Sequence, residues 1–341
     1  MATKRSREAL ESSSSSTTTT ASSSHRRVTG PWSSLERLGN DVSCHLMTFL
    51  EVNALKIVVF LSRSLRTTVR SYFAILLQKS TFHISTMEMI KRGDLFFHRD
   101  FPNLNKAMEM LQILSTLKGH TNASKKVVLE LERGVHEVVG SWTDPTGMST
   151  YQKTLSVPFA NLSIVGKGKG KTTIHGGLVT ENGRSLSVTN LTVKNLSGHG
   201  LLASEEGTKM KLSGVTIEDC KLTGIAAQGG AKLVAKDCQI CRNGVFGVHV
   251  TGSTTTTRLT NCTSHHNKYD GVCAVSGAVV DLMGEGTSVH DNERYGLCAY
   301  ERGTIINVHQ PCVLNDMSHG NKDQNIYMGS GGIVQQKDSK K

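Results

Sequence analysis

The residues of this 341-residue chain with the clearest chemical capacity are histidines, an arginine and an acid that recur at regular intervals in the C-terminal half. Imidazoles exchange protons near neutral pH, and arginine and aspartate form charged hydrogen bonds. No nucleophile or metal ligand stands at a defined spacing beside them, so the pattern favours a recognition strip for a protein or glycan over a catalytic site. A solvated face is the alternative. The candidate residues are Arg242, His249, His265, His266, His290 and Asp291.

Eight cysteines are the other candidates, for metal or redox chemistry. Cys238 and Cys241 have a CxxC spacing, with two histidines one repeat later. Alternate strand residues point to opposite faces, so we expect Cys238 inward and Cys241 outward, which prevents them from sharing an ion. Cys273 and Cys298 fall in one column, where packing as reduced, small apolar side chains is favoured over a disulfide. The sequence therefore predicts no metal site and no cofactor.

A glycine that returns every 23 to 25 residues sets this spacing; the series is Gly200, Gly224, Gly247, Gly271 and Gly296. A short apolar phrase follows each glycine, and an asparagine precedes three of them by four residues, at Asn243, Asn267 and Asn292. Self-similarity at a fixed period predicts a solenoid, in which each coil buries its apolar face on its neighbours. Asparagines on successive coils can bond one another as a ladder.

The composition of the coils separates two kinds of solenoid. Apolar residues alternate with polar ones, as in strands, and the returns are rich in Thr, Gly and Ser, as at residues 251–257. Such returns disfavour the helical segment of a leucine-rich repeat. The predicted fold class is mainly β, a right-handed parallel β-helix of about 24 residues per coil.

The segment before the glycine series fits the start of the same solenoid. Residues 105–117 have apolar side chains at helical spacing, which predicts a helix that covers the open apolar end of the first coil. From FPNLNKAMEMLQIL at residue 101 to NLSIVGKGKGKTTIHGG at residue 161, the sequence resembles the opening of the pectate-lyase-like β-helix superfamily. The resemblance extends over about residues 95 to 335.

That resemblance raises the question of catalysis, because many such β-helices cleave acidic polysaccharides. A hydrolase needs paired carboxylates for acid–base work, and the family phrases Asn-Thr-Asp, Asp-Asp and Arg-x-Lys do not occur here. The lyase phrases Trp-x-Asp-His and Arg-x-Pro do not occur either. We therefore expect no catalytic residues and a protein that is not an enzyme, with a polysaccharide lyase or hydrolase as the alternative.

Residues 33–94 have a different pattern, with apolar residues at three- and four-residue steps that predict a small all-α domain. The phrase LGNDVSCHLMTFL at residues 38–50 and LSRSLR at residues 61–66 resemble an F-box, with departures at Gly39, Ser62 and Leu65. The alternative is a helical cap on a non-enzymatic binding or scaffold protein. The resemblance implies that apolar residues dock on a Skp-type adaptor: Leu38, Val42, Leu46, Leu50 and Leu55.

An F-box joined to a solenoid is the layout of substrate receptors in cullin–RING ubiquitin ligases. The resemblance therefore implies a substrate-recognition subunit whose β-helix binds an unknown protein or glycan. The chain would do no chemistry itself.

Composition limits the remaining classes. No apolar run is long enough for a membrane span, and no signal region is visible, so we expect a cytoplasmic or nuclear protein. The net charge is +11, but without aromatic interleaving nucleic-acid binding is not favoured. The predicted domains are a disordered Ser/Thr-rich tail at 1–32, the F-box-like domain at 33–94, a capping helix and linker at 95–124, the β-helix at 125–335 and a disordered tail at 336–341.

Overall fold

A computed structural model describes residues 81–85, 101–116 and 126–337 of the chain. The predicted tail at 1–32 lies outside the described residues. So does the predicted F-box phrase, with the adaptor-binding residues Leu38, Val42, Leu46, Leu50 and Leu55. Within the described ranges, no helix has the length and apolarity to cross a membrane.

The described residues form short strands because each strand covers only one side of a coil. The helices are α1 (Leu104–Thr116) and α2 (Leu314–Met317). The strands, in chain order, are β1 (Thr81–Ile84), β2 (Val127–Leu131), β3 (Gly134–Glu137), β4 (Ser141–Thr143), β5 (Thr150–Gln152), β6 (Thr154–Ser156), β7 (Asn161–Val165), β8 (Thr172–His175), β9 (Gly177–Thr180), β10 (Ser185–Thr189), β11 (Thr192–Lys194), β12 (Leu201–Ser204), β13 (Lys209–Ser213), β14 (Thr216–Glu218), β15 (Ile225–Gln228), β16 (Lys232–Lys236), β17 (Gln239–Cys241), β18 (Val248–Thr251), β19 (Thr256–Thr260), β20 (Thr263–His265), β21 (Val272–Val275), β22 (Val279–Met283), β23 (Ser288–His290), β24 (Tyr295–Tyr300), β25 (Ile305–His309), β26 (Ser318–His319), β27 (Gln324–Gly329) and β28 (Ile333–Lys337).

Three parallel sheets run the length of the solenoid. Sheet 1 has the order β1-β2-β7-β10-β13-β16-β19-β22-β25-β28. Sheet 2 has the order β3-β8-β11-β14-β17-β20-β23-β26, and sheet 3 the order β6-β9-β12-β15-β18-β21-β24-β27. Each coil thus contributes one strand to each sheet and returns one strand spacing further along, which confirms the mainly β solenoid.

Alternation along each strand separates the core from the surface. In β16, Leu233 and Ala235 are buried inside the coil, while Lys232, Val234 and Lys236 face outward. The inward residues of successive coils join α1 in one continuous hydrophobic core. The predicted capping helix is present over almost the predicted residues, and its apolar side covers the first coil.

The solenoid begins earlier in the chain than the predicted boundary at residue 125. Strand β1 pairs in parallel with β2, and the ring of Phe82 on β1 lies 5.4 Å from that of Phe101. The predicted helical domain at 33–94 includes these strand residues, and this part of the prediction is wrong. They form an extra strand of sheet 1 because Phe82 and Ile84 are apolar, alternate along β1 and fit the end of the core. At the other end, β28 continues to Lys337, two residues past the predicted limit.

The predicted asparagine ladder is present in the turns between sheets 2 and 3. The side-chain Nδ2 of Asn243 donates to Oδ1 of Asn267, and Asn267 donates to Asn292 in the same way, each at 2.9 Å. The structure adds a fourth member, since Asn292 donates to Asn321 at 2.9 Å. The first three are fully buried, so the ladder satisfies polar groups that water cannot reach.

Candidate functional site

The predicted strip lies on the outer face of sheet 2, where three histidines stack. His265 pairs in register with His290, and His290 with His319, on β20, β23 and β26. The ring centroids are 5.0 Å and 5.1 Å apart, and each pair of rings is tilted by only 5°. The sequence predicted the proximity of His265 and His290 but not the third ring, because α2 lengthens that coil and moves His319 out of the 24-residue period.

Hydrogen bonds hold the imidazoles of this column in place. Nδ1 of His265 lies 2.8 Å from Nδ1 of His266, and Nε2 of His265 lies 3.0 Å from the side-chain amide of Gln239. Nδ1 of His290 lies 2.7 Å from Oδ2 of Asp291. Partial burial, with the neighbouring His290 and His266, lowers the pKa of His265. The hydrogen bond with His290 lowers the pKa of the exposed Asp291 carboxyl. The neutral form of His265 is therefore favoured, and its ring is held in place by these contacts.

Arg242 faces the coil before it. Its guanidinium lies 2.6 Å from Glu218 and 2.9 Å from Asp219, and the ammonium of Lys194 binds the same two acids at 2.7 Å and 3.0 Å. Burial acts to raise the pKa of Asp219, but hydrogen bonds from Arg242 and Lys194 outweigh it and leave that pKa below its usual value. A general acid needs a raised pKa, so the cluster fits charge pairing better than proton donation.

Cys241 and His249 lie outside this cluster of charges. Cys241 points outward as predicted, yet it is fully buried, because Arg242 lies over it with Nη1 3.4 Å from the sulfur. His249 belongs to another surface. It lies on β18 of sheet 3, where its ring stacks on Phe246 at 4.8 Å. Burial lowers the pKa of His249.

The outer face of sheet 3 is covered in part by the protein itself. Strands β4 and β5 form an antiparallel hairpin that places Trp142, stacked on Tyr151 at 5.7 Å, over this sheet. The side chains below it, Val179, Leu202 and Ala226, form a second buried apolar cluster with Trp142. The sequence did not predict this hairpin, because nothing in the repeat pattern indicates that a hairpin is inserted in the first coils.

A small pocket opens where sheet 2 meets the following turns. It has a volume of about 260 Å³, and Lys153, His175, Lys194, Leu196 and Asp219 line it. Nδ1 of His175 lies 2.9 Å from the carboxylate of Glu137, and Lys153 lies 3.6 Å from the same carboxylate. The cations of this pocket are therefore already paired with acids of the chain.

Unpaired cations are concentrated elsewhere, on the outer face of sheet 1. Lys209 and Lys232 are register partners on β13 and β16, and both are exposed. Lys211 and Lys236 are exposed on the same strands, and Arg258 follows on β19. We call these five residues the lysine face. The alternating KMK and KLVAK phrases are the sequence signal for this face.

The comparisons with known proteins agree with the fold. The family model of the right-handed beta helix region matches residues 170–313. No curated protein matches this sequence. Together with the register of the three sheets, the family match identifies a right-handed β-helix domain.

The solved structures that resemble the chain are distant. They include ORF18 of Geobacillus virus E2, with 8% identity, a TM-score of 0.40, and coverage of 80% of this chain and 63% of that one. The pectate lyase Pel9A has 10% identity, a TM-score of 0.33 and coverage of 77% and 79%. The A-module of the mannuronan C-5 epimerase AlgE6 from Azotobacter vinelandii has 13% identity, a TM-score of 0.19 and coverage of 68% and 92%. At these values they carry no function over to this chain.

Proposed function

We propose that the β-helix is a binding module for an acidic polysaccharide, which lies along the lysine face of sheet 1. One observation carries the proposal. Lys209, Lys211, Lys232 and Lys236 stand exposed on two adjacent strands, and among the described residues none of them forms an ion pair. The fifth cation, Arg258, has only a distant partner in Asp281, at 3.9 Å.

The sheet fixes the spacing of these charges. Neighbouring strands lie about 4.8 Å apart, and alternate residues of one strand about 7 Å apart, so the lysine stems form a regular grid. A linear chain of carboxylated sugars carries one negative charge per ring and is stiff. Such a chain can therefore meet several ammonium groups with little loss of its own freedom.

The chemistry of the same face favours a polysaccharide over a single-stranded nucleic acid. Its other outward positions on β10, β13, β16 and β19 carry serine, threonine and valine, with no aromatic side chain. Sequence-tolerant binding of single strands depends on stacking of bases on aromatic rings. Hydroxyl side chains beside cations suit the hydroxyl and carboxylate groups of an acidic sugar.

A binding assay with matched charge variants tests the proposal. The full chain is titrated with polygalacturonate and alginate, with a neutral glucan and an RNA homopolymer as comparisons. We expect Lys209→Gln/Lys232→Gln/Lys236→Gln to weaken polygalacturonate binding about tenfold, since each exposed contact contributes about 0.5 kcal/mol. The control removes the same charge from exposed turn lysines: Lys221→Gln, Lys268→Gln and Lys322→Gln.

Equal losses in the two triple variants would overturn the lysine face as the site, because they would show only an effect of net charge. If the chain bound RNA more tightly than both uronates, and the lysine-face variant lost that binding, the ligand of this face would be a nucleic acid and not a polysaccharide. Added salt should weaken the genuine complex, because exposed charges are screened.

The same polymers decide between binding and turnover. Release of unsaturated or reducing ends by the full chain would make it a polysaccharide-active enzyme, the alternative that the fold resemblance implied. We expect none from the Lys194, Glu218, Asp219 and Arg242 cluster, where the acids are held by two cations.

The role of substrate receptor in a cullin–RING ligase is a separate proposal that rests on the F-box-like phrase at 38–50 alone. It predicts that the full chain binds a Skp-type adaptor through Leu46, and that Leu46→Asp abolishes this binding without altering the far-UV spectrum of the β-helix. If neither the unmodified chain nor Leu46→Asp bound the adaptor, and Leu46→Asp were less soluble, a helical cap would be favoured instead.

A further inference from the structure

A buried aspartate on the sheet 3 side of the solenoid has an oxygen without a good hydrogen bond. Asp270 lies in the turn before β21, and its side chain is only 1% exposed. Its Oδ1 accepts the backbone N–H of Tyr295 at 3.3 Å. Its Oδ2 is shielded from solvent and accepts no hydrogen bond of good geometry; the polar groups around the carboxyl are the thiols of Cys273 and Cys298 and the guanidinium of Arg294. A carboxylate oxygen without a good hydrogen bond in such a place is unfavourable, so its retention needs a reason.

Two thiols lie beside this carboxylate. Cys273 and Cys298 are register partners on β21 and β24, and both point to the outside of sheet 3. They are nevertheless 4% and 5% exposed. A carboxylate oxygen of Asp270 and the two sulfurs all lie within 4.8 Å of one another. The sequence placed the two cysteines in one column but did not bring Asp270 to them, because it lies in a turn.

We propose that Asp270, Cys273 and Cys298 bind one zinc ion, with water as the fourth ligand. A tetrahedral zinc site places its ligand atoms about 3.5–3.8 Å apart, given bonds of about 2.3 Å to sulfur and 2.0–2.2 Å to oxygen. The three side chains therefore need shifts of about 1 Å at most. Each thiol loses its proton to solvent when its sulfur binds the ion.

Charge balance supports the site. Two thiolates and a carboxylate carry −3, the zinc ion carries +2, and Nε of Arg294 lies 3.9 Å from Oδ1 of Asp270. The ensemble is therefore neutral, as a buried site requires.

A disulfide between Cys273 and Cys298 is the competing chemistry, and it explains less. It would leave Oδ2 of Asp270 without a good hydrogen bond, whereas the ion gives this oxygen a partner. His249 is the next residue along the same column, but its ring is already stacked on Phe246. We therefore assign it no part in the site.

Cobalt titration of the reduced, chelator-treated full chain tests this site, because cobalt reports thiolate ligands by a charge-transfer band. We expect a band that saturates at one equivalent and is displaced by zinc. Cys273→Ser and Cys298→Ser should each abolish it, and Asp270→Asn should weaken cobalt binding at least tenfold. The control is Cys238→Ser/Cys262→Ser, which alters another pair of buried cysteines on adjacent coils and should keep the band.

Three results would overturn the proposal. One is the absence of a thiolate band in the reduced protein. Another is a band that survives in both Cys273→Ser and Cys298→Ser, which would place the ion elsewhere. The third is a Cys273–Cys298 disulfide, found by peptide mass mapping of the protein as isolated. As a second readout, zinc should raise the melting temperature of the unmodified chain and not that of Asp270→Asn, whose fold is checked by far-UV circular dichroism.

Discussion

Replacement of Asn267 by alanine should destabilise the solenoid more than any exposed substitution. Oδ1 of Asn267 accepts both the side-chain Nδ2 and the backbone N–H of Asn243, at 2.9 Å and 3.1 Å. Its own Nδ2 donates to Oδ1 of Asn292 at 2.9 Å. Alanine leaves two buried donors of Asn243 without this acceptor, and each lost bond lowers the free energy of unfolding by about 1–3 kcal/mol. We therefore expect the free energy of unfolding to fall by about 4 kcal/mol, a large share of an ordinary stability of about 5–15 kcal/mol.

Urea unfolding followed by far-UV circular dichroism measures this change. The matched control is Asn315→Ala, an exposed asparagine for which a change within about 0.5 kcal/mol is expected. Asn267→Asp supplies a second check, because a carboxylate can accept from Asn243 but cannot donate to Asn292, and its buried charge is costly. If Asn267→Ala and Asn315→Ala unfold at the same urea concentration, the ladder contributes no stability and the reasoning fails.

Two further predictions concern close packing and pH. Gly224→Ala should lower the free energy of unfolding by about 1–3 kcal/mol, because a Cβ there would lie 2.7 Å from Nδ2 of Asn243. Gly286→Ala is the control and should lower it little, because the nearest atom would be 3.5 Å from its Cβ. Thermal unfolding compares the two variants. Burial lowers the pKa of His199 to about 4, and the backbone N–H of Thr223 donates to its Nδ1 at 3.3 Å. Because the unfolded chain binds this proton more readily, the stability contributed by neutral His199 is complete above pH 6.5 and is lost as the pH falls towards 4. His199→Gln should remove about 3 kcal/mol of the acid destabilisation measured between pH 7 and pH 4, and an unchanged pH profile would contradict this assignment.

The features predicted from sequence are those that stacking imposes on every coil. The inward columns, the register of His265 with His290 and the ladder through Asn292 follow from a constant period, because each position must meet its equivalent one strand away. The sequence pattern therefore predicted the coil repeat and the inward columns of the solenoid.

The features that were missed depend on side-chain reach or on segments outside the repeat. The partners of Arg242 depend on side-chain reach, because only the conformation of its side chain brings the guanidinium to Glu218 and Asp219 on the preceding coil. The burial of Cys241 follows from that choice. Trp142 covers sheet 3 from a hairpin that has no counterpart in later coils, so periodicity gave no sign of it.

The coil that contains α2 shows how such a molecule can vary. Asn325 follows Gly296 by 29 positions, yet β26 and β27 stay in register with β23 and β24. The additional residues enlarge this one coil and leave the spacing between neighbouring coils unchanged. The length of a coil and the spacing between coils are thus independent properties of this protein. During evolution, loops can be added or removed at one turn while the distances between functional groups on every other coil are preserved.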